Sequence, residues 1–214
     1  NSWEINGIKK TERFSLGIGE FKGEGLNNDS LVSSFKGSIF YSLDQKFPLR
    51  VKEAKDKFVD NSFNYIFEPI KQGIYLDTKL SALYSIYNNG NHQEYIGFGV
   101  GTEFIFGEFK RKYFDYTRIS FFPFYRLKSG DSLFKFDQNS DQFTLNLALD
   151  QQLYGPILLK TGATLNLDGN SKNYGNFINS KISLNWKKRS YEFGIFYQPH
   201  NQSGGINFTL YGFE

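Results

Sequence analysis

From Thr144 to Leu167 the chain reads TLNLALDQQLYGPILLKTGATLNL, in which apolar and polar residues alternate, break at a short turn and alternate again. Phe143, Leu145, Leu147 and Leu149 alternate with Thr144, Asn146 and Asp150. After QQLYGP, Ile157, Leu159, Ala163 and Leu165 alternate with Lys160, Gly162, Thr164 and Asn166. Successive side chains of a strand point to opposite faces, so a period of two predicts two antiparallel strands, each with one apolar and one polar side.

The same pattern runs through most of the chain after Phe63. From Ile74 to Ile86 one face carries Ile74, Leu76, Thr78, Leu80, Ala82, Tyr84 and Ile86, and the other carries Tyr75, Asp77, Lys79, Ser81, Leu83 and Ser85. NNGNH supplies the Asn-Gly chemistry of a tight hairpin. The return, QEYIGFGVGTEFIF, sets Ile96, Phe98, Val100, Phe104 and Phe106 opposite Gly97, Gly99 and Gly101. Phe177 to Trp186, Tyr191 to Tyr197 and Gly205 to Phe213 read as three further strands, joined by KKRS and QPHNQSG. Pro69, Pro156 and Pro199 fall at strand ends, where a missing N–H costs no ladder bond. Such regular turns predict about ten neighbouring antiparallel strands in one meander. Residues 1–62 read more weakly: ERFSLGIGEF and SSFKGSIFYS suggest strands, while VKEAKDKFVDN suggests a loop or a short helix. No domain boundary stands out, and 1–214 reads as one β region, most regular over 63–214.

Three environments can cover the apolar faces of such a meander: a second packed sheet, an apolar barrel interior holding a ligand, or lipid outside a closed barrel. Several strands reach ten or more residues, whereas soluble strands usually run about five or six and tilted transmembrane strands need roughly nine to eleven. Trp186 and Tyr191 flank the KKRS turn, Tyr197 precedes QPHNQSG, and Tyr211 and Phe213 stand near the end, as in the aromatic girdles of membrane barrels. These criteria predict an antiparallel up-and-down transmembrane β-barrel, or the C-terminal part of a larger one. Leu145, Leu147, Ile157 and Leu159 then face lipid, and Asp77, Lys79, Asn146, Lys160 and Lys181 face the lumen.

Composition narrows the chemistry. The 214 residues contain no cysteine and no methionine, are 19% aromatic and carry a net charge of +3. A disulfide framework and a thiolate metal site are excluded. The scattered basic residues do not form the one-sided stripe of a nucleic-acid binder. NSWEING is not an apolar signal segment, so the sequence reads as a fragment, and no run approaches the roughly 20 apolar residues of a spanning helix. The two histidines, His92 and His200, lie in turns, and no nucleophile elbow, phosphate loop or paired-histidine motif is present. No catalytic residue, metal ligand or cofactor is expected. Lys110-Arg111-Lys112 and Lys187-Lys188-Arg189 read as solvated turns that can meet anionic headgroups or a periplasmic partner.

SGGINFTLYGF, with Ser203, Gly205, Phe208, Leu210 and Phe213, resembles the C-terminal insertion signal of bacterial outer-membrane barrels, which the barrel-assembly machinery takes up by strand addition. With the last strand ending at the periplasm, KKRS, QQLYGP and GEFKRKYFDY fall on the periplasmic side. LKSGDSLFKFDQNSDQ, LDGNSKNYGN, QPHNQSG and the short NNGNH fall outside.

FEPIKQG, FKRKYFDYTRISF, GDSLFKFD, DQQLYGPILL, NLD and RSYEFGIFYQPHNQSGGINF resemble, in order, the C-terminal region of cyanobacterial outer-membrane proteins related to LptD, the lipopolysaccharide-assembly barrel. The likeness covers about the last 150 residues. It implies a non-enzymatic role in the cell outer membrane: taking lipopolysaccharide from periplasmic bridge proteins and releasing it sideways into the outer leaflet. The resemblance also implies a lateral seam whose one edge is Gly205 to Phe213; Gly204, Gly205 and Gly212 either loosen that edge or serve the turn and the insertion signal. The family's periplasmic jellyroll, its opening strands and the cysteines of proteobacterial relatives are not in this sequence. A passive porin, lined by Asp77, Lys79, Lys160 and Lys181, and a soluble β-barrel lipid binder with an apolar interior are the alternatives.

Overall fold

A computed structural model describes residues 1–5, 7–26, 30–52, 70–109, 111–137, 141–188 and 190–210. They form eleven strands: β1 (Ser2–Ile5), β2 (Ile8–Glu24), β3 (Leu31–Val51), β4 (Gly73–Tyr87), β5 (His92–Phe106), β6 (Thr117–Gly130), β7 (Phe143–Tyr154), β8 (Ile157–Asn166), β9 (Phe177–Lys187), β10 (Tyr191–Gln198) and β11 (Ser203–Leu210). One 3-10 turn, Lys135–Asp137, interrupts the β6–β7 connection. The strands lie in a single sheet in chain order, each antiparallel to its neighbours. The expected all-β meander is therefore present. The sheet is open, with β1 and β11 as its edges. Among the described residues no helix is long and apolar enough to cross a membrane.

The alternation sets the strand bounds well wherever it is strong, as in β4 and β5. It sets them short elsewhere. β2 and β3 extend to 17 and 21 residues: β2 gains charged and polar ends that pair along the ladder without an apolar signal, and β3 continues past Ser42 through Asp44 and Lys46 to Phe47, Leu49 and Val51. β7 continues through QQLY to Tyr154, leaving only Gly155 and Pro156 as the turn. Most of VKEAKDKFVDN, together with Pro69, Tyr211, Gly212 and Phe213, lies outside the described residues.

Among the described residues no second sheet or helix layer covers either face, yet the faces differ sharply. Phe14, Leu16 and Ile18 on one side of β2 are 65%, 66% and 75% exposed. On the opposite side of the sheet Ser42, Ser81, Glu103, Gln152, Asn166 and Asn185 are buried. In a single-layer sheet such a difference measures curl: side chains converge on the concave face and diverge on the convex one. The sheet therefore bends toward its polar face and turns its apolar face outward, the reverse of a soluble half-buried sheet.

A glycine stripe helps the curl. Gly97, Gly99 and Gly101 lie on the polar face of β5, and the rings of Phe122 and Phe124 from β6 lie over them. A Cβ would fall 2.5 Å from the Phe124 ring at Gly97 and 2.6 Å from the Phe122 ring at Gly99. The stripe thus makes room for two inward aromatic rings, with the Arg126 guanidinium 4.8 Å over Phe124. Gly99→Leu should overpack this contact and cost about 1–3 kcal/mol, read by denaturant unfolding in detergent. Gly162→Ala, whose nearest neighbour lies at 3.8 Å, should leave the midpoint almost unchanged.

Candidate functional site

Two surfaces carry the chemistry of this sheet: the exposed apolar band and the shielded polar face. On β2 the band runs between outward Glu12 and Glu20, and on β5 from Ile96 to Phe106. Eight to ten steps of about 3.4 Å would project to about 21–26 Å at the tilt of about 40° that membrane-barrel strands adopt, against their apolar band of roughly 25 Å. Trp3, Trp186, Tyr191 and Tyr197 stand on this outer side near strand ends, each more than a third exposed.

Across the polar face runs a belt of ion pairs. The side chain of Glu103 on β5 is 2% exposed and receives Lys46 from β3 and Arg118 from β6, the latter at 2.7 Å. Arg118 also reaches Asp150 on β7 at 3.2 Å. Asp150 lies directly opposite Lys160 on β8, and Lys160 spans β9 to pair with Glu192 on β10. Toward β2, Asp44 meets Lys79 at 3.4 Å and Arg13 at 3.8 Å. Contacts that skip a strand, such as Lys46 with Glu103, are favoured by the converging geometry of a concave face.

A connection folds over this face at one rim. The β6–β7 segment leaves β6, passes β5, β4 and β3, and bridges back to β2 through Phe134 and Gly25. Phe134 is fully buried against Tyr87, ring centroids 5.9 Å apart, and stacks on Phe136 at 5.1 Å. Asp137 accepts from Lys36 and Tyr87, and its carbonyl accepts from Gln93. All three partners belong to the polar face. At the same rim, backbone N–H groups of Gln142 and Asn170 donate to the Asp168 carboxylate and hold its pKa below the usual range, tying the β8–β9 loop to its neighbour. At the opposite rim Gln152, fully buried, accepts from Asp115 N–H and donates to the Arg111 and Gly155 carbonyls. That single amide fixes the loop entering β6.

The sequence-predicted residues divide between the two faces. Asp77, Lys79, Asn146, Lys160 and Lys181 all lie on the polar face, and Leu145, Leu147, Ile157 and Leu159 all lie on the apolar one. Asn146 accepts from the Thr164 hydroxyl at 2.7 Å, and Lys181 stands 4.4 Å over the Phe196 ring. Ser203 and Gly205 turn to the polar side of β11, and Phe208 and Leu210 to the apolar side, 61% and 54% exposed. His92 stacks beside Tyr84, and His200 is hydrogen-bonded to Ser180. Neither is joined to a metal-binding cluster, and no such group occurs among the described residues.

Sequence reading missed Glu103, Arg118 and Glu192, the centres of the belt, and the fold-over of the β6–β7 segment. A signal existed for the second: Phe134 and Phe136 are apolar residues at alternate positions inside an otherwise polar loop.

Removing Glu103 should leave Lys46 and Arg118 without their shared anion. Both cations are partly solvated, so Glu103→Gln should cost about 2 kcal/mol, below the full penalty of a buried pair, as measured by unfolding in detergent. Asp137→Asn should free the fold-over segment and speed trypsin cleavage after Lys135, with the strands left intact.

No curated protein and no solved structure matches this chain. A family of proteins of unknown function (DUF3769) matches residues 14–214. From the second strand to its last residue, the chain belongs to the DUF3769 family.

Proposed function

We propose that the chain contributes eleven strands to the wall of a transmembrane β-barrel in a bacterial outer membrane. The carrying observation is the inversion of the sheet: the concave side is polar and ion-paired, while the convex side exposes a continuous apolar band of bilayer height. A soluble lipid binder would need the opposite arrangement, with the apolar side shielded.

By its resemblance to LptD-related proteins, the barrel serves lipopolysaccharide export, with β11 as one edge of the lateral seam and the polar face as the wetted side of the path. Chemical catalysis has no part in this reading. The porin alternative is favoured by one observation, the segment folded over the polar face, which would narrow an aqueous pore. Single-channel recording separates the two: steady ion-selective current supports the porin, whereas a closed lumen, with lipopolysaccharide captured by a photo-crosslinker at Asn146, supports export.

The membrane assignment has its own test. Leu147→Arg should cost about 2–4 kcal/mol of folding free energy in bilayers if its site lies near the midplane, whereas Asn146→Arg should be mild. Equal penalties at the two neighbouring positions would contradict the assignment.

A further inference from the structure

The two ends of the outer face differ in charge. At the rim holding the β1–β2, β3–β4, β5–β6, β7–β8 and β9–β10 connections, outward basic residues stand beside aromatic rings. Lys10 lies directly across from Trp3. Lys112 is held between the rings of Tyr113 and Tyr154, 5.6 and 5.3 Å from their centroids. Lys188 lies 5.7 Å over Trp186. Acids at this rim are engaged: Glu12 accepts from the Tyr41 hydroxyl at 2.8 Å, Asp115 from the Arg111 N–H, and Glu108 from Gln72. At the opposite rim the charges are more nearly balanced: Glu20, which accepts from the Ser33 hydroxyl, and Glu94 stand with Lys22, and Glu24 is paired with Lys135 at 3.5 Å.

We infer that the basic, aromatic rim is a binding surface for the anionic headgroups of phospholipids in the leaflet it meets. This rests on the membrane reading above. Each ring sits at the edge of the apolar band, the depth at which Trp and Tyr favour the interface. The Lys112 and Lys188 ammonium groups lie against ring faces and strand register sets Lys10 across from Trp3, so all three stand on the connection side of the band, toward the level of lipid phosphates. Three such pairs recur around the sheet, on β1–β2, on the loop packed against β7, and after β9, so the attraction acts along the rim and not at one pocket. Among the described residues the more nearly balanced opposite rim offers no comparable row of outward basic residues beside rings, so the attraction is confined to one end of the sheet.

The chain's two tryptophans, Trp3 and Trp186, both lie on this rim, which makes it its own reporter. The chain is folded into vesicles of equal parts phosphatidylglycerol and phosphatidylcholine, with acyl-chain bromine on one lipid or the other. Bromine on phosphatidylglycerol should quench tryptophan more than bromine on phosphatidylcholine, by about twofold or more. High salt and the triple variant K10Q/K112Q/K188Q should return the ratio to one, and Lys22→Gln should leave it unchanged. Equal quenching by the two lipids, a preference that survives the triple variant, or a preference lost with Lys22→Gln would each overturn the inference. Absence of quenching by either lipid would overturn the membrane reading along with it.

Discussion

A sheet of one layer has two faces, and among the described residues no second sheet or helix covers them. Backbone hydrogen bonds hold its strands together, but they do not decide which face meets water; that is decided by the direction in which the sheet curls. Here the long polar side chains converge and pair across one intervening strand, as Lys46 does with Glu103 and Lys160 with Glu192. The small glycines of β5 let the neighbouring strand's rings lie inward. Both features place the polar residues inside the bend. The apolar residues are left outside, where burial would otherwise have driven folding.

This constraint links the rest. Side-chain convergence on the concave side brings charges on separate strands into a belt, so most charges of the polar face meet an opposite charge. It also gives the β6–β7 segment a floor to fold onto: Lys36, Tyr87 and Gln93 belong to three different strands yet meet one short turn. On the convex side the divergence separates neighbouring side chains, and it opens shallow grooves beside small residues such as Ala82 and Ala163.

Much of this was legible in the sequence because a strand's period of two is local. Leu145, Leu147, Ile157 and Leu159 separate from Asn146 and Lys160 by counting alone, and the structure keeps that division. Strand ends were less legible where charges replaced the apolar signal, as at Lys9 and Lys46, which pair across β2 and β3. The belt was not legible. Glu103, Arg118 and Asp150 are far apart in sequence, and their meeting depends on register and curvature together, which no single segment encodes. The same holds for Gln152, an ordinary polar residue in the alternation whose role as the clamp of the β5–β6 loop follows from where Arg111 and Asp115 are brought by the fold.

The central claim is that hydrocarbon covers the convex face. The chain has no cysteine, so single cysteines placed in turn from Thr144 to Asp150 can each carry one spin label in a bilayer. Collision with oxygen, which partitions into lipid, should peak at 145, 147 and 149, and collision with a water-soluble nickel chelate should peak at the positions between them. Equal access of the chelate to both sets, or the reverse alternation, would contradict it.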